Sequence, residues 1–180
     1  MTPVEQWPAA DPLRDGVAAV LVRPAREDEL EAVGELTVTA YMADRLLTGD
    51  EGYVPVLADA ARRAAHADLV VAVDPVTDQL LGTVTFCTSG TAYAEVARDG
   101  EAEFRMLAVS PDARRRGIGE ALVRACVARA RALGRDRIVL STLPSMSAAH
   151  ALYERLGFTR LPERDWGVQD VWLIAYAMSL

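Results

Sequence analysis

The stretch from Glu103 to Glu120, Glu-Phe-Arg-Met-Leu-Ala-Val-Ser-Pro-Asp-Ala-Arg-Arg-Arg-Gly-Ile-Gly-Glu, constrains this chain more than any other. Phe104 to Val109 reads as an apolar strand, and Ser110, Pro111 and Asp112 as a turn. Three arginines and Gly117-Ile118-Gly119 follow, and there a helical pattern opens. A helix that starts on bare glycines presents N–H groups with no intrahelical partner, at the end of the dipole that favours anions. Gly117 and Gly119 lack a Cβ, so a bulky phosphate can approach the backbone closely. Strand, turn, arginines and helix start together predict a cradle for a pyrophosphate.

Composition and spacing exclude two common cradles. A Walker A loop needs a lysine after its second glycine, and all 19 Lys+Arg residues of this chain are arginine. A dinucleotide fingerprint needs a third glycine where this chain has Leu122. What remains is Arg114-x-x-Gly117-x-Gly119. Downstream, beyond one further predicted strand, stands Ala148-Ala149-His150-Ala151-Leu152-Tyr153-Glu154-Arg155-Leu156-Gly157-Phe158. The two segments resemble the Arg/Gln-x-x-Gly-x-Gly/Ala and Ala-x-x-Leu-Tyr-x-x-x-Gly-Phe motifs of the GNAT N-acetyltransferases. The resemblance covers roughly residues 17–180 and is densest over 101–160.

Residues 1–16, with three prolines and little periodicity, read as an N-terminal tail, and 17–180 as one domain. Val17 to Val22 is a strand ended by Pro24. Residues 26–47 form a helix with Leu30, Val33, Leu36, Ala40 and Tyr41 near one face, broken over 48–52. A second, alanine-rich helix spans about 55–66. Leu69 to Val73 and Leu80 to Cys87 form a hairpin around Asp74 to Asp78, and Thr88 to Gly100 is a polar excursion. Strand 102–109 leads into helix 117–133, whose Ile118, Leu122, Cys126 and Ala130 recur every four residues, with Gly134 as its C-cap. Ile138 to Leu140 is a buried strand, and 147–156 a helix stopped by Gly157. Phe158 to Leu161 and Val171 to Met178 are the closing strands. The order βααβββαβαββ matches the α/β (α+β) fold that the resemblance implies. That fold has a mixed, mostly antiparallel sheet of about seven strands, splayed between strands 4 and 5 and flanked by four helices, with the acyl-CoA in the splay.

A net charge of −7 argues against nucleic acid as a partner. No apolar run is long enough to span a bilayer, and no signal-peptide pattern opens the chain. Cys87 and Cys126 read as two reduced thiols, which with the rest predicts a cytoplasmic protein. Residues 26–59 carry nine acids against two arginines, and 114–137 eight arginines against two acids. The basic stretch fits an anionic cofactor. The acidic one either steers a cationic amine or is the solvated face of two helices. The scattered pairs of histidine and cysteine predict no metal site.

The resemblance implies acetyl-CoA as acyl donor and assigns residues to it. The pantetheine arm would pair with the backbone of Leu107, Ala108 and Val109, where main-chain groups rather than side chains do the binding. The pyrophosphate would take N–H groups of Arg115, Arg116, Gly117, Ile118 and Gly119, with Arg114 and Arg116 adding charge. Tyr153 matches the tyrosine that assists the departing thiolate; its alternative is core packing beside Leu152 and Leu156. Glu103 is the candidate general base, with Glu101 as rival and an ion pair to Arg105 as the alternative. Simple alternation would put Glu103, Arg105, Leu107 and Val109 on one face unless a bulge intervenes. Many relatives carry asparagine where this chain has Met146, and Ser145 or Ser147 could cap that helix instead. His150 reads as a surface residue.

Tyr41, Tyr53, Trp166 and Trp172 are candidate walls of the acceptor site, or core residues. No Gly-x-Ser-x-Gly or Cys–His arrangement supports an acyl-enzyme, so direct attack on the thioester is expected. The expected function is N-acetylation of a small-molecule amine. A protein or peptide acceptor and a non-catalytic acyl-CoA sensor are the alternatives, and monomer and homodimer both stay open.

Overall fold

The computed structural model describes residues 7, 20–47, 52–168 and 170–180. In chain order it contains β1 (Leu21–Pro24), α1 (Leu30–Ala43), α2 (Val54–Ala58), α3 (Ala60–His66), β2 (Asp68–Val73), β3 (Leu80–Thr88) and β4 (Glu101–Val109). Then come α4 (Ile118–Ala132), β5 (Arg137–Thr142), α5 (Ser147–Arg155), β6 (Thr159–Arg160), β7 (Trp166–Val168) and β8 (Val171–Ser179). The strands lie in the order β1-β2-β3-β4-β5-β8-β6, with β7 on β8. Every pairing is antiparallel except β4–β5, which is parallel.

Helices cover both faces of the sheet, which is why β2 is an unbroken apolar run rather than an alternating one. Val70 and Ala72 pack with Phe86, Phe104, Ile118, Leu122 and Cys126 under α4. Leu69, Val71 and Val73 pack with Val33 and Ala60 under α1 and α3. Gly34 lets α1 lie against α2: a Cβ there would stand 2.1 Å from the Ala58 carbonyl oxygen. The buried Arg63 ties these helices together, its Nη2 donating to Thr37 Oγ1 at 3.1 Å and to the Leu57 carbonyl at 2.9 Å.

Four expectations change in detail. The alanine-rich helix is two helices, because Asp59 (φ −79°, ψ 68°) leaves helical geometry and its carboxylate caps Arg62 N–H at 2.9 Å. Helix α1 starts at Leu30, after a 3-10 turn over Glu27–Glu29. The residues joining the last two expected strands contain a strand of their own, β7. Neither Ser145 nor Ser147 caps α5; its N-cap is Met146, with no side-chain cap bond. The C-terminus of α4 is as expected: Gly134 (φ 63°) follows it, Gly134 N–H reaches Arg131 C=O at 2.9 Å and Arg135 N–H reaches Ala130 C=O at 3.0 Å, a Schellman closure. The expected break over 48–51, strand residues 17–19 and the tail lie outside the described residues. Trp7 is the exception, its ring edge-on to Phe86 at 5.5 Å.

Two irregularities of β4 build the site. First, β4 and β5 pair only at Glu101↔Arg137, Ala102↔Ile138 and Glu103↔Val139. Beyond Glu103 the two strands diverge, so Phe104 to Val109 keep β3 on one edge only. Second, Met106 has φ 52°, and the β3–β4 register shifts between Thr83↔Ala108 and Thr85↔Arg105. Met106 and Leu107 thus oppose the single residue Val84, a β-bulge. The bulge breaks the alternation expected of Glu103, Arg105, Leu107 and Val109. Met106 joins Leu57, Cys87 and Tyr93 on one face, while Leu107 and Val109 turn to the core beneath α4.

Candidate active site

The loop from β4 to α4 is made by local geometry. Ser110 N–H bonds the Leu81 carbonyl at 2.9 Å, Pro111–Ala113 is a 3-10 turn, and Arg115 (φ 59°) and Gly117 (φ 77°) take left-handed conformations. Gly117 is the N-cap of α4 and has no side chain with which to satisfy it. The first helical donor is Ala121 N–H, to Gly117 C=O at 2.9 Å, so the N–H groups of Ile118, Gly119 and Glu120 stand ahead of the ladder. A Cβ on Gly119 would meet only ordinary contacts, Leu152 at 3.5 Å and Val109 at 3.7 Å. An uncapped helix start beside an unpaired strand edge fits a cofactor with a pyrophosphate and an amide-bearing arm. The three arginines differ. Arg115 is exposed and Arg116 half-buried. Arg114 pairs through Nη1 with Asp44 at the end of α1 at 2.8 Å, and its buried Nη2 has no partner among the described residues.

Tyr153, on α5, is 4% exposed. Its ring lies 5.9 Å from Phe104, 6.0 Å from Phe158 and 6.1 Å from Tyr176. Phe104 is the first residue of β4 past the last β4–β5 pair, and Tyr176 pairs with Leu140, the first residue of β5 past it. Tyr153 therefore packs on both walls of the splay where it opens. No hydrogen bond among the described residues involves its hydroxyl. Burial, and secondarily the neighbouring Cys126 thiol, push its pKa well above the ordinary value of 10. His150, one turn earlier, has a structural role: its Nε2 is 3.0 Å from the Leu143 carbonyl and its ring 5.5 Å from that of Tyr176.

Glu103 is wholly buried, at 0% exposure. Its Oε2 accepts three consecutive backbone N–H groups, Glu95 at 2.9 Å, Val96 at 3.0 Å and Ala97 at 3.0 Å. Its Oε1 is buried with no partner among the described residues. Burial raises the carboxyl pKa above its usual range, against the pull of the three N–H groups and of Arg105. Glu103 does not pair with Arg105, which instead pairs with Glu95 at 2.6 Å and donates to the Tyr93 carbonyl at 3.0 Å. The rival Glu101 is engaged by Arg164, Arg137 and Arg98 N–H. Cys87, which pairs with Glu103 across β3–β4, is pushed up to about 12 by burial and then by that carboxylate.

On the same face Tyr41 and Tyr53 join Tyr93, Met106 and Leu57 in one cluster. Burial, then the nearby Tyr53 and Tyr153, push the Tyr41 hydroxyl far above 10. Burial also raises the Tyr53 hydroxyl above its ordinary value, opposed by Arg105. Trp166 stands apart from this cluster. Its Nε1 donates to Ser141 Oγ at 3.1 Å, and its ring packs with Val96 and Val139. Together with Glu95–Arg98, Arg164 and Asp165 it lines a hollow of about 330 Å³. Trp172 is 56% exposed and lies over Gly167, apart from the Tyr41–Tyr53 cluster. Tyr93, Glu95 and Arg164 were not singled out by the sequence; an aromatic within a Ser/Thr/Gly-rich loop was the available signal for Tyr93. Among the described residues no three His, Cys, Asp or Glu side chains gather as a metal site, and no helix is long and apolar enough to cross a membrane.

The structure resembles known acetyltransferases over most of their length. A GNAT-family acetyltransferase from Staphylococcus aureus superposes with a TM-score of 0.69 at 15% identity, covering 90% of this chain and 99% of that one. The PaiA N-acetyltransferase from Thermoplasma acidophilum, solved with coenzyme A, gives 0.67 at 14% identity over 90% and 99%. A ribosomal-protein alanine N-acetyltransferase from Escherichia coli gives 0.59 at 18% identity over 89% and 93%. A comparison with curated proteins returned no match. The acetyltransferase (GNAT) family profile matches residues 30–158, from α1 through the motif that carries Tyr153. The chain belongs to the GNAT family, and it is an acetyl-CoA-dependent N-acetyltransferase.

Proposed function

We propose that this chain acetylates a primary amine of a small molecule by direct attack on the thioester, with Glu103 as general base and Tyr153 as donor to the leaving sulfur. Acetyl-CoA supplies the activated acetyl group. The β4 edge at Leu107, Ala108 and Val109 and the N–H groups over Arg115–Gly119 hold and orient it, with Arg116 and the free edge of Arg114 adding positive charge. The observation that carries the reading is the asymmetry of Glu103. One oxygen is held by three N–H groups, and the other is buried and unpartnered.

An alkylamine is only about one part in a thousand neutral at pH 7, and supplying the neutral form costs about 4 kcal/mol. Glu103 Oε1 takes that proton. Tyr41 and Tyr53 wall the acceptor on the Glu103 face and Trp166 bounds the neighbouring hollow. That aromatic enclosure supports a compact acceptor. Two free, buried cysteines are in keeping with a cytoplasmic setting.

The test is thiol release from acetyl-CoA against a panel of small amines and N-terminal peptides, with products weighed by mass spectrometry. Release with a small amine, and its mono-acetylated product, is expected. Release with peptides alone moves the acceptor to a protein amine. Saturable acetyl-CoA binding with no release from any amine refutes the catalytic reading.

A further inference from the structure

Arg164 lies outside both sequence motifs, on the 3-10 turn Pro162–Arg164 between β6 and β7. Its side chain is 8% exposed and that of Glu101, its partner, 9%. Arg164 Nη2 donates to Glu101 Oε1 at 2.9 Å, and Nη1 donates both to Glu101 Oε2 and to the Val96 carbonyl at 2.8 Å. Glu101 Oε2 also accepts Arg98 N–H at 2.8 Å. One ion pair thus grips the loop at Val96 C=O and Arg98 N–H, on either side of Ala97. Burial works against the Glu101 carboxylate, yet the Arg164 fork and the Arg98 N–H keep its pKa below the ordinary range.

The gripped loop is the one that cradles Glu103. Three consecutive N–H groups converge on Oε2 from residues 95–97, where no helix or strand fixes the backbone. That conformation must be held by contacts from elsewhere, and a planar guanidinium grips both carboxylate oxygens in a fixed fork while one nitrogen also serves a carbonyl, a geometry that the point charge of an ammonium does not impose. We propose that Arg164, through Glu101 and Val96, is a positioning residue for the general base, closing the 95–97 loop on Glu103 Oε2 and leaving Oε1 as the oxygen that takes the proton. The inference rests on the reading of Glu103 as the base.

The test uses the full chain and its Arg164→Met and Arg164→Lys variants. Three readouts are followed: amide hydrogen exchange at Glu95, Val96 and Ala97, the carboxyl titration of Glu103 by 13C NMR, and the acid limb of kcat/KM with acetyl-CoA and the best amine of the panel. Arg164→Met is expected to speed exchange of the three amides at least about tenfold. It should also raise the Glu103 midpoint and the acid limb together by about one unit, because a carboxylate that loses backbone donors holds its proton more tightly. Arg164→Lys should fall between. If the Met variant does not fold, Glu101→Gln cuts the ion pair with Arg164 in place and carries the same readouts. Unchanged exchange, or faster exchange with an unmoved midpoint, overturns the proposal. An acid limb that survives in Glu103→Gln overturns the assignment of the base itself, whatever the Arg164 variants do.

Discussion

Replacing Tyr153 by Phe removes one oxygen from a place where the free enzyme offers it no hydrogen-bond partner among the described residues. The ring stays, with its contacts to Phe104, Phe158 and Tyr176. No other buried group loses a partner, so stability should change by less than about 1 kcal/mol. In a chain of this length that is a shift of roughly 2–4 °C at most. Activity should respond very differently. At reference values a tyrosine is about 1.5 units less acidic than a thiol, so full proton transfer to the leaving thiolate is uphill by about 2 kcal/mol. Burial pushes Tyr153 further in the same direction. In the proposed mechanism the hydroxyl is therefore a neutral hydrogen-bond donor that tightens as charge develops on sulfur. Hydrogen bonds to charged groups are worth about 1.5–3 kcal/mol, or about 10- to 150-fold in rate. The assay is single-turnover transfer at saturating acetyl-CoA, where product release does not mask chemistry, with the acceptor KM expected to hold. A rate within about threefold of the wild type would refute the reasoning, and a large loss of stability would show that Tyr153 is chiefly a core residue.

Glu103→Gln should lower kcat/KM by about 100-fold or more and abolish the acid limb. Burial holds Glu103 above the usual carboxyl range, so if it is the base and works deprotonated the wild-type limb should fall as pH drops through a value above 4.5. Gly117→Ala forces an L side chain into φ 77° and should cost about 1–2 kcal/mol while weakening acetyl-CoA binding by calorimetry. Gly119→Ala meets only ordinary protein contacts and should leave stability nearly unchanged. Gly34→Ala sets a methyl 2.1 Å from the Ala58 carbonyl and should destabilise by about 1–3 kcal/mol, read as a fall in the urea midpoint.

Helix α4 and its start were legible because their signals are local: an i, i+4 apolar stripe, glycines at the start and Gly134 at the end. The helix that carries Tyr153 was legible for the same reason, since it lies inside a contiguous motif. What was hidden depends on residues far apart in sequence. The Met106 bulge leaves no mark on the apolar pattern of β4, yet it decides which side chains share a face with Glu103. Arg114 reads like its two neighbours until the end of α1 brings Asp44 to it. Residues 95–97 have no periodicity to read; the partners that bond them, Arg164 at Val96 C=O and Glu103 at the three N–H groups, come from other parts of the chain. The split at Asp59 was readable in principle, since an aspartate three residues before a free N–H is a capping signal that the alanine-rich context obscured.

Direct attack of the amine on the thioester requires both substrates on the enzyme together. The most direct measurement is the initial-velocity pattern with acetyl-CoA and the acceptor varied against each other, paired with intact-protein mass after incubation with acetyl-CoA alone. Intersecting lines and an unmodified protein mass are predicted. Parallel lines, together with a protein that gains one acetyl group and passes it to the amine, would contradict direct attack and point to an acyl-enzyme on a nucleophile of the chain.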